Sequence, residues 1–137
     1  MIHSRRIVLE IILGLFLLGN TGAAFAEDLK PNKKRGQVYF KMVCTVCHMQ
    51  QAEKTIPPAS RTMDQWRAYF AANKHDLTGA TRPEVSYYMS LEYRETIKDT
   101  NKAARKFLKL SDQQIDADVR EFVVNGAKDS DTPASCN

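Results

Sequence analysis

The sequence has no alternating apolar–polar run of the kind that makes a half-buried strand, no internal repeat and no low-complexity tract. These absences exclude a sheet-based domain, a solenoid and a disordered array. No apolar run reaches the roughly 20 residues that a spanning helix needs; the block from Ile7 to Leu18 falls well short and contains Glu10. Charge of one sign is in small excess only, with 20 Lys and Arg against 16 Asp and Glu. That lacks the dense basic field of a nucleic-acid binder. Cysteine and histidine are scarce, at three of each, so a four-ligand zinc site has few donors to draw on.

The start of the chain is organised differently from the rest. Arg5 and Arg6 precede the apolar block, which turns small and polar and reaches Ala24-Phe-Ala26. A positive start, a short apolar core and an Ala-x-Ala end predict a secretory signal peptide over residues 1–26. Glu10 weakens the competing reading of an uncleaved anchor, because a carboxylate at mid-membrane is costly. No cysteine follows the block closely enough to accept a lipid. The expected location is the bacterial periplasm, with membrane association only if the signal stays, and no integral membrane segment is expected after cleavage. Residues 27–137 then form one small domain, near the size where a core is hard to fill.

Along that domain the pattern is helical, so the expected fold class is all-α. Gly36, Phe40, Val43 and Cys47 fall on one face of a helix over 33–47. Pro57-Pro58 makes 49–60 an extended loop. Thr62 with Gln65 predicts a capped helix start, followed by Trp66, Tyr69, Phe70 and Asn73 on one stripe that fades near His75. Residues 76–82 read as a turn. Pro83 suits the first position of another helix, with Val85, Tyr88, Met89 and Leu91 as its apolar face. The polar stretch 96–101 interrupts it, and 103–108 is helical again. Ser111 with Gln114 opens a last helix with Ile115, Val119, Phe122 and Val123 inward, ended by Gly126. From about 128 the chain reads as a loose polar tail.

Cys44-Thr-Val-Cys47-His48 is the haem c attachment signature. Two residues between the cysteines let both sulfurs reach the vinyl groups of one porphyrin edge and form thioethers. The adjacent histidine then serves as proximal axial ligand of the iron. One covalent haem c per chain is the expectation, with Cys44, Cys47 and His48 as its anchors. Zinc and a plain disulfide are the rivals. Beyond the motif, zinc has only Cys136 and His75 to recruit. A thioredoxin-like pair wants strands that this pattern lacks.

The likeness extends past five residues. Gly36-Gln-Val-Tyr39-Phe40-Lys-Met-Val-Cys44-Thr-Val-Cys47-His48 resembles the first helix of class I monohaem cytochromes c, which place a glycine and an aromatic at these offsets. Leu110-Ser-Asp-Gln-Gln-Ile115-Asp-Ala-Asp-Val119-Arg-Glu-Phe122-Val123 is similar to that family's last helix, with an aromatic at the Phe122 position. The resemblance implies that the two helices cross closely, and that the small residue at position 36 permits the contact. It covers both ends of the domain, whereas Gln50 to Lys109 matches less well.

The chain departs from the family at the sixth iron ligand, usually a methionine on a loop before the last helix. Met49 adjoins His48 and cannot reach the opposite haem face. Met42 lies within the attachment helix, and Met63 at the start of the next. Met89 is better placed but has no Pro-Met loop around it, and core packing is its competing role. His75 is the only other histidine after residue 26 and ranks ahead of Met89; a five-coordinate iron is the third option. Cys136, the odd cysteine, is free or pairs two chains in a dimer.

The function expected from these features is electron carriage between redox partner proteins, not enzymatic catalysis. The competing classes are a haem enzyme such as a small peroxidase and a gas-binding or sensor protein, both of which need an open or weakly occupied iron site. A subunit of a larger redox complex is the remaining alternative.

Overall fold

The structure is a computed structural model that describes residues 29–52, 54–75 and 82–134. The expected signal peptide, Cys136 and most of the expected turn over 76–82 lie outside the described residues.

Asn32 starts the helical part of the chain. Its backbone is extended and its side-chain oxygen accepts the Arg35 amide, which satisfies one unpaired donor of the helix start. One continuous rod follows: α1 (Lys33–Tyr39), a π-helical turn (Phe40–Cys44) and α2 (Thr45–Ala52). In the wide turn the Thr45 amide donates to the Phe40 carbonyl five residues back. The rod runs past the helix end expected at Cys47. Nothing between His48 and Ala52 breaks a helix, and the first proline is Pro57.

Pro58–Ser60 is a 3-10 turn, and α3 spans Met63–Ala72. The capping box expected at its start is present. The Thr62 hydroxyl accepts the Gln65 amide, and the Gln65 side-chain oxygen accepts the Thr62 amide. Asn73, left-handed at φ 49°, ends α3 just short of His75.

The helix expected from Pro83 is corrected. Pro83 and Glu84 lie outside any helix, and Val85–Met89 forms a 3-10 turn. Ser90 then breaks the run with extended backbone and caps a new helix, α4 (Leu91–Ile97), by accepting the Tyr93 amide. The break changes the facing of the chain, so Val85 and Met89 are buried while Leu91 is 42% exposed. The expected interruption follows α4, and Asn101 caps α5 (Lys102–Lys106). The last helix, α6 (Asp112–Asn125), starts at Ser111 as expected. Gln114, however, does not reach back to its cap; its amide donates to the Lys30 carbonyl and to Asp118. No strand occurs among the described residues, so the described fold is all-α.

The rod and α6 cross at the centre. A Cβ on Gly36 would stand 1.9 Å from the Asp118 carbonyl oxygen, so only glycine lets the two backbones come this close. Around the crossing, Phe40 meets Phe122 at 5.7 Å and Tyr39 meets Phe107 at 5.8 Å between ring centroids. Ile115, Val119, Phe122 and Val123 are all buried, as their spacing predicts. Asp118, between them, is buried as well. It accepts from Arg35, the Asn32 amide and Gln114.

The tail expected to be loose from about 128 is anchored through Ala134. Lys128 donates to the Arg61 carbonyl, Ala59 to the Ala134 carbonyl and Ala134 to the Gly126 carbonyl, while Asp129 accepts the Met63 amide. These bonds satisfy backbone groups that a bare loop would leave to water. Gly126 ends α6 at φ −103°, outside the left-handed region. Its lack of a side chain serves packing instead: a Cβ there would press on Pro58 and Ala134.

Trp66 fastens α3 to the same region through its indole N–H, which donates to the Pro58 carbonyl at 2.7 Å. Trp66→Phe should leave that carbonyl with only the long Arg61 amide bond at 3.5 Å and lower stability by about 1 kcal/mol. A urea titration checks this, and an unchanged midpoint would show that the bond contributes nothing.

Candidate functional site

The rod sets the attachment residues. Cys44 closes the π turn, and Cys47 and His48 lie in the first turn of α2. Residues three apart on a helix share a face, so both sulfurs are offered on one side of the rod. Cys44 and Cys47 are thiols, not joined to each other, and all three side chains are half-buried. A π turn inside an α-helix is frequent at functional sites because it re-aims the residues that follow.

His75 comes from the far side of α3. Its ring stacks on His48 with centroids 5.4 Å apart and planes 18° from parallel. Its amide donates to the Pro83 carbonyl, which ties it to the next described segment. The stacked pair is proximity and not ligation geometry, since imidazoles that ligate one iron from opposite faces present nitrogen edges and not ring faces.

Tyrosines wall the pair. Tyr88 meets His75 edge to face at 5.0 Å, and Tyr93 meets Tyr88 at 5.1 Å. Tyr87 touches both Tyr88 and Tyr93, and carries Arg82 over its ring at 4.6 Å. From the rod, the Tyr39 hydroxyl donates to the Tyr88 carbonyl at 2.7 Å. Four of the five tyrosines of the chain thus gather beside the motif.

The electrostatics follow from burial. Burial first, and the neighbouring Cys47 second, push the Cys44 thiol up to about 12. A thiol that stays protonated at neutral pH is a poor nucleophile, the opposite of what a dithiol–disulfide exchange site needs. Burial and then His75 lower the His48 pKa, so the neutral, metal-ligating imidazole is favoured. Burial, then Cys44, raises the Tyr39 hydroxyl; burial, then Cys47, which also hydrogen bonds it, raises that of Tyr93. Both phenols remain protonated donors.

No family model, curated protein or solved structure matches this chain.

The structure brings together Cys44, Cys47, His48 and His75 from residues 31 positions apart in sequence at the widest. Met89 is a core residue: it is 2% exposed within the hydrophobic cluster, and its carbonyl accepts from Arg94. Met42 and Met49 are exposed, and Met63 packs at the edge of the core. Among the described residues no group of three His, Cys, Asp or Glu side chains is arranged to hold a bare metal ion. The donor set of two imidazoles and two free thiols on a helix face, bordered by aromatic rings, fits a covalently attached porphyrin iron better.

Sequence reasoning missed Tyr39, Tyr93 and Arg94 as members of the site. Arg94 is fully buried, with Nη1 donating to the Met89 carbonyl and Nη2 to the Leu110 carbonyl and Asp112; its Nε–H has no acceptor. The only signal in the sequence was the crowding of tyrosine over 87–93.

Proposed function

We propose that this protein is an exported monohaem c-type cytochrome of class I type that carries single electrons between redox partner proteins. In this reading Cys44 and Cys47 hold the haem through thioethers, His48 is the proximal iron ligand and His75 the distal one. The observation that carries it is the stacking of His75 on the histidine of a Cys-x-x-Cys-His motif, with both cysteines as thiols on one helix face. The close crossing of the first and last helices at Gly36 supports the class I likeness. No helix among the described residues is long and apolar enough to cross a membrane.

Bound there, the haem would supply a one-electron ferric–ferrous couple. The chain's own residues do the rest. The neutral imidazole of His48 is ready to ligate without first losing a proton. Met89 and Phe107 belong to the apolar core behind the tyrosine wall and keep water from it. Tyr39 and Tyr93 direct protonated hydroxyls at the Tyr88 carbonyl and the Cys47 sulfur, holding wall and anchor in place.

The test is the purified full chain from a host that attaches haem c. Intact mass should show one haem, lost when Cys44 and Cys47 are both replaced by Ala. The ferric spectrum should be low-spin without the long-wavelength band of methionine ligation. His75→Ala should turn it high-spin and let the ferrous form bind carbon monoxide, while Met89→Ala should stay low-spin. A high-spin, carbon monoxide-binding parent would favour the gas-binding or peroxidase alternatives, and a spectrum that changes only in Met89→Ala would reassign the ligand. A parent without covalent haem would sink the whole reading.

A further inference from the structure

Among the described residues, two charged side chains are completely buried, Asp118 and Arg94. Asp118 is fully met by Arg35, Asn32 and Gln114. Arg94 is not. Its one carboxylate, Asp112 at 3.1 Å, is 54% exposed and so screened by water. Its other partners are two neutral carbonyls and the Tyr39 hydroxyl, and Nε–H has none. A guanidinium cannot shed its proton, so a buried positive charge remains that its surroundings only partly balance.

That charge lies close to the attachment site. The Arg94 guanidinium hydrogen bonds the Tyr39 hydroxyl, and Tyr39, completely buried, belongs to the core cluster against which Cys44 packs. Arg94 and Tyr39 also hold the successive carbonyls of Met89 and Tyr88, the latter on the residue whose ring borders His75. The cation and the sulfur that would carry the porphyrin therefore border the same buried cluster. Tyr39 and its cluster neighbours are shielded from solvent, so the interaction is weakly screened.

We propose that Arg94 is a buried cation that raises the reduction potential of a haem held at Cys44, Cys47 and His48. The inference rests on the haem reading above. Reduction places one electron on the iron and removes one unit of positive charge from the site; a fixed cation nearby favours the less positive, ferrous state. The same geometry separates charge from scaffolding, because lysine keeps the charge while Asp112 tunes it from the other side without belonging to the tyrosine wall.

Spectroelectrochemical titration of the full haem-loaded protein tests this, with the electrode as electron source. In Arg94→Gln the ferrous-to-ferric ratio at the parent midpoint should fall at least about tenfold, equal to about 59 mV for one electron. Arg94→Lys should stay within about threefold of the parent. Asp112→Asn keeps the oxygen that accepts from Leu91 and Arg94 but removes the counter-charge, so its midpoint should move the opposite way. Arg94→Gln with haem retained and an unchanged midpoint overturns the proposal. So does an Asp112→Asn midpoint that falls or does not move, and this arm decides alone if Arg94→Gln does not fold. A haem stain keeps the two failures apart: a parent without haem overturns the functional reading, whereas a loaded parent with unresponsive variants overturns only the role of Arg94.

Discussion

Gly36→Ala should lower the stability of the protein by about 3 kcal/mol and its Tm by roughly 10–20 °C. The added Cβ would lie 1.9 Å from the Asp118 carbonyl oxygen and 2.4 Å from its carbon. The obstruction is main chain on both sides, so no rotamer change relieves it. The rod and α6 must separate by more than an ångström to restore an ordinary contact. Alanine recovers roughly 1 kcal/mol of intrinsic helix propensity over glycine, but separation loosens Phe40 from Phe122 and Arg35 from Asp118 at the same time. Those added losses keep the net cost at the upper end of the overpacking range. Urea and thermal unfolding beside Gln37→Ala, an exposed neighbour on the same helix, make the measurement. A Tm within a few degrees of the parent would show that the crossing yields where the geometry says it cannot.

Asp118→Ala should cost about 3 kcal/mol for a different reason. The carboxylate is completely buried and accepts from the Asn32 amide at 2.7 Å, Arg35 Nη2 at 2.9 Å and Gln114 Nε2 at 2.9 Å, with Arg35 Nε against its other oxygen. Breaking a buried ion pair from one side costs about 3–5 kcal/mol because its partners are stranded. Arg35 is 28% exposed and can turn to water, which places the expected loss near the lower bound. The converse change, Arg35→Ala, leaves two neutral donors on the carboxylate but strands a buried anion, so it too should destabilise, by about 2 kcal/mol. The double variant should fall short of the sum, since both changes remove one interaction. Additive losses in the unfolding midpoints would mean that the pair does not act as a unit. Because the pair straddles the Gly36 crossing, Gly36→Ala and Asp118→Ala should likewise be less than additive.

Local chemistry was legible wherever its cause lies within a few residues. The Thr62–Gln65 box, the Ser111 cap and the inward stripe Ile115, Val119, Phe122, Val123 depend on neighbours three and four positions away, and they form as the spacing predicts. Gly36 was readable as a point of close approach from the resemblance, and it stands at the crossing. The failures share a pattern too. Pro83 did not open a helix because Ser90, seven residues on, makes the stronger start by capping the Tyr93 amide. Gln114 was expected to complete a box, but its side chain is turned to donate Nε2–H to the buried Asp118 carboxylate one turn away and to the Lys30 carbonyl, and not to accept the Ser111 amide. The polar tail looked loose from composition, although its backbone supplies partners for Ala59 and Arg61 and its Asp129 side chain one for the Met63 amide.

The sequence by itself determined the spacing of Cys44, Cys47 and His48 on one helix, the all-helical pattern and most of the caps, because each follows from the repeat of a single helix and its ends. Only the tertiary structure decided which distant side chain meets His48. It stacks His75 there, leaves Met89 in the core, and buries Arg94 and Asp118, two charges that composition would assign to the surface. Such outcomes depend on how helices cross, and a crossing is set by the joint fit of residues far apart in the chain, here Gly36 against the backbone of Asp118.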